Sequence, residues 1–353
     1  MNELQQIICA EIAALGPMTC ARFMDLALYH PEHGYYEKQS SQVGRSGDFI
    51  TSVSVGDIFG RLLAERFADW LLQLESRGIE PPFQLVEAGA HAGQLAADIL
   101  SALQSRHPRL FAKTEYVIIE PSPQRTRWQR EFLKDWQEKV TWWEAWDDPI
   151  CGIVFSNELL DSFPVHRYRW RQGESRWMEL AINENWEWTE IDTEFHPNLD
   201  PDLSAALPDG FITENAGGAK QWWQSAADAL KAGWLTAVDY GFESEALFSP
   251  NHPKGTLRAY RNHQHVDDLL ASPGEQDVTA HVDWSAIRSA GEEHGLQTSE
   301  LIDQSRFLTR ILANASAAAP DSWQLSPKEI RQFQMLTHPE HLGRKFQVLI
   351  QQS

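Results

Sequence analysis

An α/β fold built on a mostly parallel, doubly wound sheet is the class that this 353-residue sequence predicts. Three observations lead there. Short apolar, β-branched runs alternate with helical patterns from Gln84 to Leu159. One of those runs, QLVEAG, enters a glycine turn that opens a helix, and a strand of the same type, GWLTAVDYG, returns after an interruption. The interruption changes period. VHRYRWRQGESRWMELAINENWEWTEI alternates apolar and polar residues around turns at Gln172-Gly173 and Asn183 to Asn185, which suggests an antiparallel meander.

The elements follow in order. LQQIICAEIAAL has helical apolar spacing and stops at Gly16-Pro17. Thr19 can cap a short helix, CARFMDLALYH, which ends before Pro31. A polar, Gly-containing loop runs from Tyr35 to Ser54, and a long amphipathic helix, VGDIFGRLLAERFADWLLQLES, continues to Gly78. Beyond Pro81-Pro82 come strand QLVEAG, helix GQLAADILSALQSRH, strand EYVIIEP and helix PQRTRWQREFLKDWQE. The short strand VTWW and strand GIVFSNEL complete that series. After the meander, acid- and Pro-rich sequence reaches Asp209, and a helix carrying Trp222-Trp223 leads into GWLTAVDYG. The remainder holds TLRAY, a helix from about Trp284 to His294, a helix near Ser305 to Ala313, and a final strand, FQVLIQ. The domain plan is an N-terminal helical extension over 1–80, an α/β core over 81–164 and 232–353, and an inserted antiparallel β and helical lobe over 165–231.

Composition bounds the function. Hydrophobic residues at 42% and charged residues at 23% lie near globular averages, so a packed core is expected, with most of the 15 tryptophans in it. Acids outnumber bases 50 to 30, for a net charge of −20. Such a field repels nucleic acid and anionic membranes and attracts a cationic partner, such as an Arg-rich protein segment. Cys9, Cys20 and Cys151 stand far apart with no CxxC pair, which fits a reducing, cytoplasmic compartment and neither a disulfide framework nor a zinc site. No apolar run approaches membrane-spanning length, and MNELQQIICAEIAALG resembles neither a signal nor a transit peptide. The HPEH segments at His30 to His33 and His338 to His341 are not read as ligands, because proline breaks the helical register and no third ligand is evident; no metal is expected.

Two templates compete for the turn EAGAHAGQL. The dinucleotide fingerprint G-x-G-x-x-G needs glycine at 89, 91 and 94, and the chain offers Gly89, His91 and Gln94. The methyl-donor turn, acid-x-G-x-G-x-G, is met by Glu87, Gly89 and Gly93 and departs only at His91. Histidine is among the non-glycine residues found more often at positive φ, so the bend can survive. The second template fits better, and it points to S-adenosyl-L-methionine with Glu87 near the ammonium group. Glu120, at the end of the next strand, is placed to accept the ribose hydroxyls. Past the strand GIVFSN, Asn157, Glu158 and Asp161 crowd the same edge and are the candidate catalytic residues. Methyl transfer is accelerated mainly by positioning and electrostatics, and carboxylates can fix a guanidinium in a bidentate fork.

GPMTCARFMDLALYHPEHGYY, GRSGDFITS, VEAGAHAGQL, SNELLDSFPV, VDYG, GTLRAYRNHQHVD and DVTAHVDW follow in the order seen in the MidA family, which the chain therefore resembles over nearly its whole length, except the divergent lobe near 170 to 230. These are S-adenosyl-L-methionine-dependent methyltransferases, comprising the mitochondrial complex I assembly factor that methylates an arginine and its bacterial relatives. The resemblance implies a class I, Rossmann-like methyltransferase fold and a protein arginine as acceptor, with a respiratory-complex subunit as one candidate substrate. It implies that the loop with Gly47, Asp48 and Phe49 covers the cofactor. Glu87, Gly89, His91 and Gly93 would form the turn, Glu120 would hold the ribose, and Asn157 and Glu158 would border the methyl group. The chain departs from the family pattern at Ala90 and His91, and GDFITSVSVG lacks the Pro-Glu that often follows the Thr. Two alternatives share the fold: a catalytically weak or inactive assembly or interaction protein, and a small-molecule methyltransferase. Homodimerisation is left open.

Overall fold

The computed structural model describes residues 2–38, 51–147, 149–197, 199, 201–261 and 264–353. By its contacts the chain forms two compact units. One comprises residues 1–40, 160–221 and 242–287, and the other residues 41–159, 222–241 and 288–353.

The second unit holds the parallel sheet. Its strands are β1 (Phe83–Ala88), β2 (Thr114–Ile119), β3 (Val140–Trp143), β4 (Ile150–Asn157), β5 (Leu230–Phe242), β6 (Gln297–Asp303) and β7 (Phe346–Gln352). They lie in the order β3-β2-β1-β4-β5-β7-β6. The pairs from β3 to β5 are parallel, while β7 runs antiparallel to both β5 and β6. The strand order therefore reverses between β1 and β4. In an open α/β sheet, that reversal leaves a crevice at the carboxyl ends of the two strands, where ligands bind.

Helices α1 (Ile58–Ser76) and α2 (Gln94–Arg106) pack with one face of this sheet. The apolar residues of α1 recur at helical spacing, so Phe59, Leu62, Leu63, Phe67, Trp70, Leu71 and Leu74 are buried together with Phe83, Leu85, Tyr116, Ile118, Ile153 and Phe155. Each fully buried Leu or Phe contributes about 1.5–3 kcal/mol. Trp70 stacks on Trp234 at 5.2 Å, but only six of the 15 tryptophans are buried and the other nine keep partial exposure, fewer in the core than the majority that composition suggests. Helices α3 (Pro123–Phe132), α4 (Gln304–Ala318) and α5 (Pro327–Thr337) complete the elements needed below.

The first unit is antiparallel. Strands Arg176–Ile182 and His166–Arg171 pair, Trp188–Ile191 adds to the former, and Met18–Thr19 and Ile212–Asn215 extend the sheet. The expected meander is this sheet. A smaller one joins 258–261 to 264–266 and 277–279. Residues 1–40 cluster with the lobe, whereas α1 clusters with the parallel sheet, so the segment expected as one extension over 1–80 is shared between the units. Sequence patterns also passed over β6 and α5. In β6 each residue is only partly buried or exposed, so it shows no apolar period.

Candidate functional site

The turn after β1 bends three times to positive φ, at Gly89 (+76°), His91 (+46°) and Gly93 (+92°). Gly89 has a second reason to lack a side chain: a Cβ there would lie 3.1 Å from Leu159 Cδ1. At Gly93, which caps α2, a Cβ would come within 2.8 Å of Leu133. The Gly93 N–H closes the turn on the Ala90 carbonyl at 2.7 Å. His91 thus adopts the left-handed conformation that the absent glycine would have taken. His91 is exposed as a residue, while protein crowds around its ring. That crowding, and then the charge of Arg125, push the imidazole pKa down to about 4, so the ring is neutral at neutral pH.

Glu120 follows β2 and is 3% exposed. Its Oε1 accepts from the Ser122 N–H at 2.9 Å and pairs with Arg125 at 2.9 Å. Its Oε2 accepts from Gln129 Nε2 at 2.9 Å, and the same nitrogen donates to the His91 carbonyl, also at 2.9 Å. Trp142 Nε1 on β3 donates to Gln129 Oε1. Helix α3 begins immediately after Glu120 with Ser122 as its N-cap, and residues four apart share a helix face, so Arg125 and Gln129 both face the acid.

Glu87 pairs with Ile118 in the register of β1 and β2, so alternation places it on the sheet face that carries Tyr116 and Glu120. It is 2% exposed, and Tyr116 Oη donates to its Oε2 at 2.6 Å. Burial against apolar residues is the main cause of a pKa raised to about 7; the tyrosine bond opposes that shift and the charge of Asp98 adds to it.

At the carboxyl end of β4, Asn157 and Glu158 are half-buried. Glu158 has φ +53°, uncommon for a non-glycine residue and typical of strained functional positions. Its N–H donates to the Val238 carbonyl, and the next N–H, of Leu159, donates to Asp239 Oδ2. Glu158 Oε1 accepts from the Ser52 N–H at 3.1 Å and from Asn157 Nδ2 at 3.0 Å. Ser52, fully buried, is tied to Gln304 of α4, which donates to the Leu336 carbonyl of α5.

The structure therefore assembles Glu87, Gly89, His91, Gly93, Glu120, Asn157 and Glu158 within one unit. Asp161 falls in the other unit, 5% exposed, with its carbonyl accepting from the Ala280 N–H. Gly47, Asp48 and Phe49 lie outside the described residues. Sequence reading missed Ser122, Arg125, Gln129, Tyr116 and Ser52. The motif Ser122-Pro123 directly after a strand-end acid marks a helix start, and that start could have exposed the Arg125 and Gln129 face.

The arrangement suits a nucleoside ligand carrying an amino acid. Two polar atoms on successive residues at the end of β4, Ser156 Oγ and Asn157 Oδ1, are buried without a hydrogen-bond partner among the described residues. An orphan of that kind costs about 1–3 kcal/mol, which a polar ligand can relieve. The turn supplies backbone at Gly89, where a Cβ would crowd Leu159, and Glu120 supplies a held carboxylate.

The family model for S-adenosyl-L-methionine-dependent methyltransferases matches residues 62–302. Over 99% of its length the chain is 27% identical to the mitochondrial protein arginine methyltransferase NDUFAF7 homolog of Drosophila melanogaster, covering 84% of that protein. It is 26% identical to mitochondrial protein arginine methyltransferase NDUFAF7 of Homo sapiens, over 95% of this chain and 80% of that one. A Burkholderia thailandensis protein solved with S-adenosyl-homocysteine bound superposes with a TM-score of 0.85 at 28% identity, over 99% of this chain and 92% of that one.

Proposed function

The chain belongs to the S-adenosyl-L-methionine-dependent methyltransferase family, and from that premise we propose that its methyl acceptor is an arginine side chain of a protein partner. The observation that carries this reading is the Glu158 carboxylate, held by Ser52 and Asn157 at the carboxyl end of β4 beside the glycine turn of β1. A carboxylate fixed by two donors can hold a guanidinium with little reorganisation, which is where positioning and electrostatics assist transfer. The names of relatives that match at least 95% of the chain support the same acceptor.

When bound, S-adenosyl-L-methionine would supply the methyl group from its sulfonium, with the neutral thioether S-adenosyl-homocysteine as the leaving group. In this reading the turn at Gly89 and His91 passes beneath the amino acid and ribose, and Glu120 accepts the ribose hydroxyls. Glu87 faces the ammonium, and Asn157 and Glu158 border the reacting centre. The net charge of −20 favours a basic segment around the target arginine. A respiratory-complex subunit is the partner implied by the sequence resemblance. A reducing, cytoplasmic compartment is part of the proposal and is supported by the free thiols Cys9, Cys20 and Cys151. No described helix is long and apolar enough to cross a membrane.

The test uses methyl-labelled S-adenosyl-L-methionine with protein from cells lacking this enzyme. Label recovered as methylarginine after acid hydrolysis supports the proposal. Label confined to small molecules, or to another amino acid, overturns it.

A further inference from the structure

We propose that Gln129 is a positioning residue that locks the histidine-substituted turn to the ribose-binding acid, so that the site accepts an adenosyl ligand without the middle glycine. The inference rests on the reading of Glu120 as the ribose acid. Gln129 is completely buried, and its amide is used at both ends. One nitrogen serves the His91 carbonyl and Glu120 Oε2, each at 2.9 Å, and the oxygen is held by Trp142 Nε1 at 2.9 Å. The Trp142 bond fixes which end of the amide faces the acid, because an indole N–H can only donate.

Two consequences follow for the cofactor site. A non-glycine residue at φ +46° is disfavoured locally, and the bond to its carbonyl holds that peptide in place. The acid beyond β2 is buried, and the same nitrogen, with Ser122 and Arg125, sets the plane of its carboxylate. Turn and acid come from different strands, β1 and β2, and Gln129 connects them through one atom. Glycine at 91 would free the turn from this dependence; histidine makes the lock necessary.

Gln129→Glu keeps the shape and the acceptor for Trp142 but replaces the donor with a carboxylate facing Glu120. The charged and titratable groups around it are Glu120 from the end of β2, Arg125 on its own helix, His91 in the turn, and Arg130, which lies 4.4 Å over the Trp142 ring. S-adenosyl-homocysteine is titrated calorimetrically into the wild type and Gln129→Glu at about pH 8 and about pH 5.5. At the higher pH the variant binds about tenfold more weakly. At the lower pH the introduced acid is protonated, donates to Glu120 again, and the deficit narrows to about threefold or less. A purely structural defect would not recover with protons. Wild-type affinity at pH 8, or a deficit that stays constant between the two pH values, overturns the proposal. Should Gln129→Glu not fold, Gln129→Met removes both polar ends at similar volume and is expected to bind at least about tenfold more weakly; unchanged affinity overturns it. Glu120→Gln separates the two levels. If that variant binds like wild type, the ribose assignment falls and the proposal with it. If it binds weakly while both Gln129 variants bind normally, the positioning role alone falls.

Discussion

Tyr116 Oη donates a 2.6 Å hydrogen bond to Glu87 Oε2 inside the face of the parallel sheet, so the acid that opens the glycine turn is a buried, singly capped carboxyl group. Its pKa, raised from the usual carboxylate range to about 7, sets the sign of a stability effect. The folded chain binds a proton that the unfolded chain releases above about pH 4.5. The contribution of Glu87 is therefore full below that pH and is lost as pH rises through about 7. Glu87→Gln keeps an acceptor for Tyr116 and does not titrate. Relative to wild type it should gain on the order of 1–3 kcal/mol between about pH 5 and pH 8, measured as urea midpoints at unchanged slope. A difference that stays constant over that range contradicts the burial account.

Gly89→Val tests the turn by sterics. The position has φ +76°, and a Cβ would meet Leu159 at 3.1–3.2 Å before any branch is added. We expect a stability loss of about 1–3 kcal/mol and a weakening of S-adenosyl-homocysteine binding by at least about tenfold. Binding at wild-type strength would show that the turn is not the cofactor cradle.

His91→Gly asks whether the ring or only the bend matters. Glycine removes the local penalty at φ +46° but raises the entropy of the unfolded chain, and the two effects nearly cancel, to within about 1 kcal/mol. Cofactor affinity should hold or improve. Because the imidazole titrates at about 4, its removal should leave the pH dependence of binding unchanged between about pH 6 and pH 8. A large loss of affinity would assign the ring a contact with the ligand.

Much of the sheet was legible because β-branched runs such as EYVIIEP carry burial in their composition, and helix α1 announces itself by apolar spacing. The template position of His91 was also legible, since a glycine pattern records where φ turns positive. What stayed hidden depends on tertiary register. Gln129 is a polar residue on a helix of polar sequence, and nothing local shows that it is buried between Glu120, His91 and Trp142. Strand β6 escaped because its residues are polar or half-exposed, and its pairing with β7 supplies what its own sequence lacks. Helix α5 did carry a signal: Ser326 and Glu329 form a capping box, with Pro327 at the first helical position.

Glu158→Gln separates chemistry from cofactor binding. The variant keeps an acceptor for Ser52 and Asn157 but loses the charge that would fix a guanidinium. Methyl transfer to a protein acceptor should fall about 100-fold or more, while S-adenosyl-homocysteine affinity changes by less than about threefold. Equal rates for variant and wild type would move the acceptor site away from β4.

The most direct single measurement is a calorimetric titration of S-adenosyl-homocysteine into the wild-type protein near pH 7.5, run beside Gly89→Val. Saturable binding to one site in the wild type, with clear weakening in the variant, is the outcome required if the switch point between β1 and β4 is the cofactor site. No heat at millimolar ligand, or two indistinguishable isotherms, would contradict it.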